Sequence, residues 1–242
     1  MNTYRKIAII VGVLYIIGTV SGILSVVVTT PVLGDSDYLA KVAANANQLT
    51  LGALLVLLMA LALAMVPVML FPIFRKINEV LAMGYVVFRG ALETVAYIGM
   101  LLSWLLLVVL GQEYITGGAP AAAYFQTMGT LLRDGHDAIN IILIIVFSLG
   151  ALMLYYLLYQ SKLIPRWISG WGFIAILLHL ATGFLIMFHL MVPFSTINMV
   201  VNLPIGLQEM VMAVWLIVKG FNPSSVASLS AKSATNETLS AS

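Results

Sequence analysis

Residues 81–110 read LAMGYVVFRGALETVAYIGMLLSWLLLVVL, an apolar run interrupted by Arg89 and Glu93. About 20 helical residues cross the hydrocarbon core of a bilayer, so this run is long enough to span it. A charge near the bilayer centre costs several kcal/mol or more unless it is paired, hydrated or neutralised. The stretch therefore predicts a transmembrane helix and, within it, a polar centre that needs a partner.

Five further runs of the same kind flank it: Ile7–Val28, Leu49–Pro72, Ala138–Gln160, Ile168–Leu190 and Ile197–Val218. The composition agrees, with 62% hydrophobic and 8% charged residues, against about 25% charged in soluble domains. The expected fold class is all-α, an integral membrane bundle of six transmembrane helices. The first run follows Arg5 and Lys6 but is too long for a signal-peptide core and lacks a small-x-small cleavage site, so it reads as an uncleaved span.

Charge orients the chain. With a cytoplasmic N-terminus, Arg5, Lys6, Arg75, Lys76, Lys162, Arg166, Lys219 and Lys232 lie inside, and only Lys41 and Arg133 outside. This bias places both termini in the cytoplasm. The net charge of +2 offers no basic stripe for nucleic acid. The absence of cysteine excludes disulfides and thiolate chemistry.

Outer loops are expected over Thr29–Gln48 and Gly111–Asp137. The second is punctuated by Gly117, Gly118 and Pro120, with a short amphipathic surface helix over Ala121–Leu132. A domain over residues 1–220 is followed by a Ser/Ala-rich segment, 221–242, read as a disordered cytoplasmic tail. Gly18 and Gly22 form a small-xxx-small face, suited to packing within the chain and leaving a homo-oligomer contact open. In the sixth span, Pro204 and Gly206 are expected to loosen the helix just before Gln208 and Glu209.

Depth counting at about 1.5 Å per residue puts Arg89 roughly 14 Å, Glu209 roughly 15 Å and His179 roughly 17 Å from the inner ends of their spans. Glu93 follows Arg89 by one turn on nearly the same face. Arg89, Glu93, Glu209 and His179 thus form the candidate cluster, with Gln208, Asn202 and Tyr15 as secondary polar groups. Two readings compete. One is a ligand or ion site in which Arg89 clamps an anion and surplus carboxylate handles protons. The other is a structural ion pair holding span 3 to span 6.

His136, Asp137 and His189 are metal-ligand types near the outer surface, but no ligand spacing supports a metal. No nucleophile elbow or phosphate loop is present, which leaves a membrane-embedded enzyme as the third reading. No cofactor is implied, and the expected partners are the lipid bilayer and a small ligand.

A motif string runs along the chain: Arg5, Gly12, Tyr15 and Gly22; Gly34-Asp35; Phe71-Pro72, Arg75, Asn78, Leu81-Ala82, Gly84-Tyr85, Phe88-Arg89 and Glu93. It continues with Ser161, Ile164-Pro165-Arg166 and Gly172, and closes on Glu209, Trp215-Leu216 and Lys219-Gly220. This pattern resembles the bacterial membrane-protein family known as domain of unknown function 4386, over roughly residues 5–220. The resemblance implies a multi-pass inner-membrane protein without an assigned activity, and it picks out Arg89, Glu93 and Glu209.

Overall fold

The computed structural model describes residues 3–117, 121–193 and 195–240, with side chains described to residue 231. Gly118, Pro120 and the side chain of Lys232 therefore lie outside the described residues. All regular structure among those described is helical.

Among the described residues, six helical stretches are long and apolar enough to cross a membrane. They are α1 (Thr3–Leu33), α3 (Ala46–Phe74), Glu79–Gly117, α6 (Ala122–Ser161), α7 (Arg166–Met187) and α8 (Thr196–Val218). The third of these consists of α4 (Glu79–Tyr85), a π-helical segment (Val86–Leu92) and α5 (Glu93–Gly117). Only 28–50% of each span's most apolar window is buried. Residues such as Leu54, Leu61, Val109 and Ile174 turn outward, as bilayer-facing residues of a membrane protein do.

The chain's contacts gather into two compact units. The first comprises Met1–Ile16, Leu63–Leu92 and Ile144–Ser242; the second comprises Ile17–Ala62 and Glu93–Leu143.

In the first unit the helix ends are capped by chemistry legible in the sequence. Asn78 Oδ1 accepts from Leu81 N at 3.0 Å to start α4, and Ser195 Oγ accepts from Asn198 N at 3.3 Å to start α8. These caps satisfy backbone donors that a helix start leaves open. At the far end of α8, Gly220 takes φ +75°, and its N–H bonds back to Trp215 O at 3.1 Å. A left-handed residue is the common helix terminator, and glycine adopts it without strain. The Arg5 guanidinium completes the cap, donating to Leu216 O (3.0 Å), Ile217 O (2.6 Å) and Val218 O (3.1 Å).

The second unit is built on a core of Val32, Leu39, Val42, Leu49, Ala53, Val56, Leu101, Trp104 and Leu107. Here the small face of α1 is used inside the chain, because a Cβ on Gly22 would meet Met59 Sδ at 2.7 Å.

Three expectations are corrected. The outer loops are mostly helix: α1 runs to Leu33, α2 occupies Tyr38–Ala44, and α3 begins at Ala46. Residues 121–132, expected as a separate surface helix, are essentially the first turns of α6. They find partners in the protein rather than the membrane surface: Phe125 packs edge-on to Tyr114 (6.4 Å), and Gly129 sits directly against Tyr38 Oη. Arg133, one residue on, covers the Tyr38 ring at 4.6 Å.

The second correction concerns span 6. α8 runs unbroken through Pro204 and Gly206, and the irregular backbone lies instead in span 3, at Arg89. The third is that the Ser/Ala-rich segment forms helix α9 (Pro223–Ser240) rather than an unstructured tail. Asn222 starts it by accepting from Ser224 N (3.2 Å), Pro223 provides a φ suited to a first helical position, and Ser225 Oγ donates to Lys162 O (3.0 Å).

Candidate functional site

Arg89 sits in the middle of the π-helical segment and is 2% exposed. Such segments carry i→i+5 bonding, are rare, and concentrate at functional positions. The local sequence suits a close approach. A Cβ on Gly150 of α6 would stand 3.1 Å from Arg89 N and 3.3 Å from Phe88 Cβ, so glycine there lets α6 lie directly on the π backbone.

A carboxylate and two aromatic rings lie beside the guanidinium. Its Nη2 donates to Glu209 Oε1 at 3.2 Å. The Phe147 ring lies 4.4 Å from its central carbon, and the Tyr15 ring 5.9 Å away. Aromatic faces attract a cation through the ring quadrupole, more strongly when water is excluded. A carboxylate and two rings thus supply part of what the bilayer interior withholds from this charge.

Further polar side chains of this unit form short hydrogen-bonded groups. His179 Nδ1 lies 2.7 Å from Asn202 Oδ1, and Thr182 Oγ1 donates to the same oxygen at 3.2 Å. With the amide oriented this way, Nδ1 carries the histidine proton. The His179 ring meets Phe147 edge-on at 5.3 Å, so Phe147 touches both Arg89 and His179. On the other side, Tyr155 Oη donates to Gln208 Oε1 at 2.6 Å, and Gln208 Nε2 donates to Ile168 O at 3.1 Å. Tyr15 and Tyr85 pair their hydroxyls at 3.4 Å.

The structure thus brings together Arg89 and Glu209, links His179 and Asn202 to them through Phe147, and places Gln208 and Tyr15 within the same unit. Glu93 is 1% exposed and opens α5, in the second unit. The residues that sequence reasoning missed are Phe147, Tyr85, Tyr155, Thr182 and Gly150. Tyr85, Tyr155 and Thr182 gave a signal, as hydroxyl-bearing side chains within apolar spans; Phe147 and Gly150 gave none.

Among the described residues, no group of three or more His, Cys, Asp or Glu side chains is placed to hold a metal ion. His136 pairs with Asp137 (Nδ1 to Oδ1, 3.2 Å) and stacks on Trp104 at 5.1 Å. His189 follows the end of α7 in a left-handed conformation, with φ 58°.

Residues 10–220 match the family model described as Domain of unknown function (DUF4386). The chain belongs to this family. No curated protein and no solved structure matches it. The DUF4386 match takes in Tyr15, Arg89, Phe147, His179 and Glu209, and it ends at Gly220, before α9. The polar centre is therefore a feature of the DUF4386 domain of this chain.

Proposed function

We propose that this DUF4386 protein resides in a bacterial cytoplasmic membrane, with both termini inside, and binds or passes a small molecule or ion at the Arg89–Glu209 centre. The observation that carries this reading is an asymmetry within the pair. The Arg89 side chain is 2% exposed, whereas the Glu209 side chain is 15% exposed. The cation is fixed by its surroundings and its counter-ion is the reachable member. A ligand anion replacing Glu209 at Arg89, or a cation drawn to Glu209, needs that arrangement. Intramembrane ionisable groups of this kind are functional-site candidates by default.

The orientation rests on the positive-inside bias of the sequence. The Arg5 cap on the end of α8 supports it by holding both chain ends at the same face. Access to Ser225→Cys in intact and opened cells tests it; labelling of intact cells by an impermeant reagent overturns it.

A second reading, a scaffold protein with a structural ion pair, is favoured by the two rings that enclose the guanidinium. Cysteine labelling separates the two, because the natural chain contains no cysteine. On the binding reading, a water-soluble thiosulfonate labels the folded Glu209→Cys variant, while lipid-facing Val214→Cys stays unlabelled. Failure to label Glu209→Cys in folded protein supports the scaffold.

A further inference from the structure

The basic end of spans 5 and 6 carries a second feature, independent of the polar centre. A cleft of about 510 Å³ opens where the α6–α7 loop meets the turn after α8, and Lys162, Arg166, Lys219 and Trp215 all line it. None of its lining residues is acidic. The backbone that shapes it is tied across the two turns: Asn222 N donates to Leu163 O at 2.8 Å. Arg166 is held against its own helix pair, with its guanidinium 4.8 Å from the Tyr159 ring.

A second, apolar groove of about 440 Å³ shares Trp215 and Lys219 with the cleft and continues along α8 over Met210, Val211, Val214 and Val218. These positions follow helical spacing along one side of α8. From Lys219 to Met210 the helix rises roughly 13 Å, close to the depth of one leaflet's hydrocarbon, which is about half of 30 Å.

We propose that this composite site binds an anionic phospholipid, its phosphodiester headgroup among Lys162, Arg166 and Lys219 and an acyl chain in the groove along α8. The headgroup cleft supplies three cations with no competing carboxylate. A basic pocket between transmembrane helices is the arrangement that recognises anionic headgroups. Trp215 stands at the junction, at the depth where aromatic side chains favour the membrane–water boundary. A soluble phosphate would use the cleft and leave the apolar groove unused; a lipid uses both.

The test measures lipid retention by native mass spectrometry, and thermal stability in a neutral detergent, for the full-length protein. Phosphatidylglycerol, phosphatidylcholine and inorganic phosphate are added separately. Phosphatidylglycerol is expected to be retained and to raise the melting temperature, with phosphatidylcholine and phosphate much weaker. Lys162→Gln/Arg166→Gln/Lys219→Gln is expected to weaken phosphatidylglycerol binding on the order of a hundred-fold.

Lys219→Gln alone, which spares the loop, is expected to weaken it several-fold. Val214→Trp, which fills the groove, is expected to weaken lipid retention without removing a charge. Arg75→Gln/Lys76→Gln, a basic pair outside the cleft, is expected to leave binding unchanged. Equal retention of the two lipids, or unchanged binding in Lys219→Gln and Val214→Trp, overturns the proposal. Stabilisation by inorganic phosphate equal to that by phosphatidylglycerol also overturns it, by assigning the cleft to a soluble anion.

Discussion

Phe147 presents its ring to the Arg89 guanidinium at 4.4 Å and, on another side, meets the His179 ring edge-on at 5.3 Å. An aromatic face replaces some of the hydration that a buried cation loses, and it is worth about 0.5–2 kcal/mol. Phe147→Leu removes that face and the histidine contact together. We expect a loss of about 1–3 kcal/mol in thermal or denaturant unfolding in detergent. Phe147→Tyr keeps the ring and is expected to lose much less. Equal losses in the two variants would mean that packing volume, not the aromatic face, matters there.

The Arg89–Glu209 pair predicts an asymmetric rescue. Arg89→Glu sets two carboxylates against each other, and Glu209→Arg sets two guanidinium groups together. Each is expected to cost about 3–5 kcal/mol. Combining them restores opposite charges and should recover part of the folded yield seen by size-exclusion chromatography. Recovery remains incomplete because the exchanged carboxylate then faces the negative face of Phe147. A double variant no better than either single one removes the pair as the interaction that matters. Arg89→Lys is also expected to be damaging, since an ammonium cannot lie flat over the ring as a guanidinium does.

The spans were legible because bilayer thickness fixes how many apolar residues a helix needs, and each of the six runs met that length. The same physics made Arg89 and Glu209 conspicuous, and depth counting put them at one level. What escaped is local. A π-helical segment differs from α-helix in which carbonyl each N–H finds, and no side-chain pattern over Val86–Leu92 announces that choice. Glycines flank Arg89 at Gly84 and Gly90, but a glycine serves close packing equally well, as at Gly84, where an added Cβ would meet Met153 Sδ at 2.7 Å. The outer loops were misread because polarity alone marked them. Tyr38, Phe125 and Arg133 gain partners in helical geometry that composition does not reveal.

Tyr155 and Gln208 are both fully buried, and their 2.6 Å bond predicts strong coupling. Tyr155→Phe leaves Gln208 Oε1 without its hydroxyl donor and is expected to cost about 1–2 kcal/mol. Gln208→Leu strands the Tyr155 hydroxyl, removes the side-chain donor to the Ile168 carbonyl and should cost more. The double variant is expected to fall short of the sum of the two losses in a thermodynamic cycle. Strict additivity would show that the two side chains do not act together.

Glycines on two spans predict effects of opposite sign. A Cβ on Gly12 would lie 2.6 Å from Ala213 O and 2.7 Å from Ile217 Cγ1. Ile217 can turn aside, but the Ala213 carbonyl belongs to the α8 backbone and cannot, so Gly12→Ala must push α1 and α8 apart. Alanine gains about 1 kcal/mol in helix propensity, and overpacking costs about 1–3 kcal/mol. Separation also stretches the Arg5 cap on Leu216 O, Ile217 O and Val218 O, so destabilisation is expected to win. Gly170 of α7 has no atom within 4 Å of an added Cβ. Gly170→Ala therefore keeps the propensity gain and is expected to stabilise by up to about 1 kcal/mol. Melting temperatures of the two variants should move in opposite directions, and Gly12→Ala should lose less on an Arg5→Gln background, where no cap remains to stretch. A Gly12→Ala protein as stable as the parent would show that α1 and α8 can separate freely, against the close contact seen at Ala213.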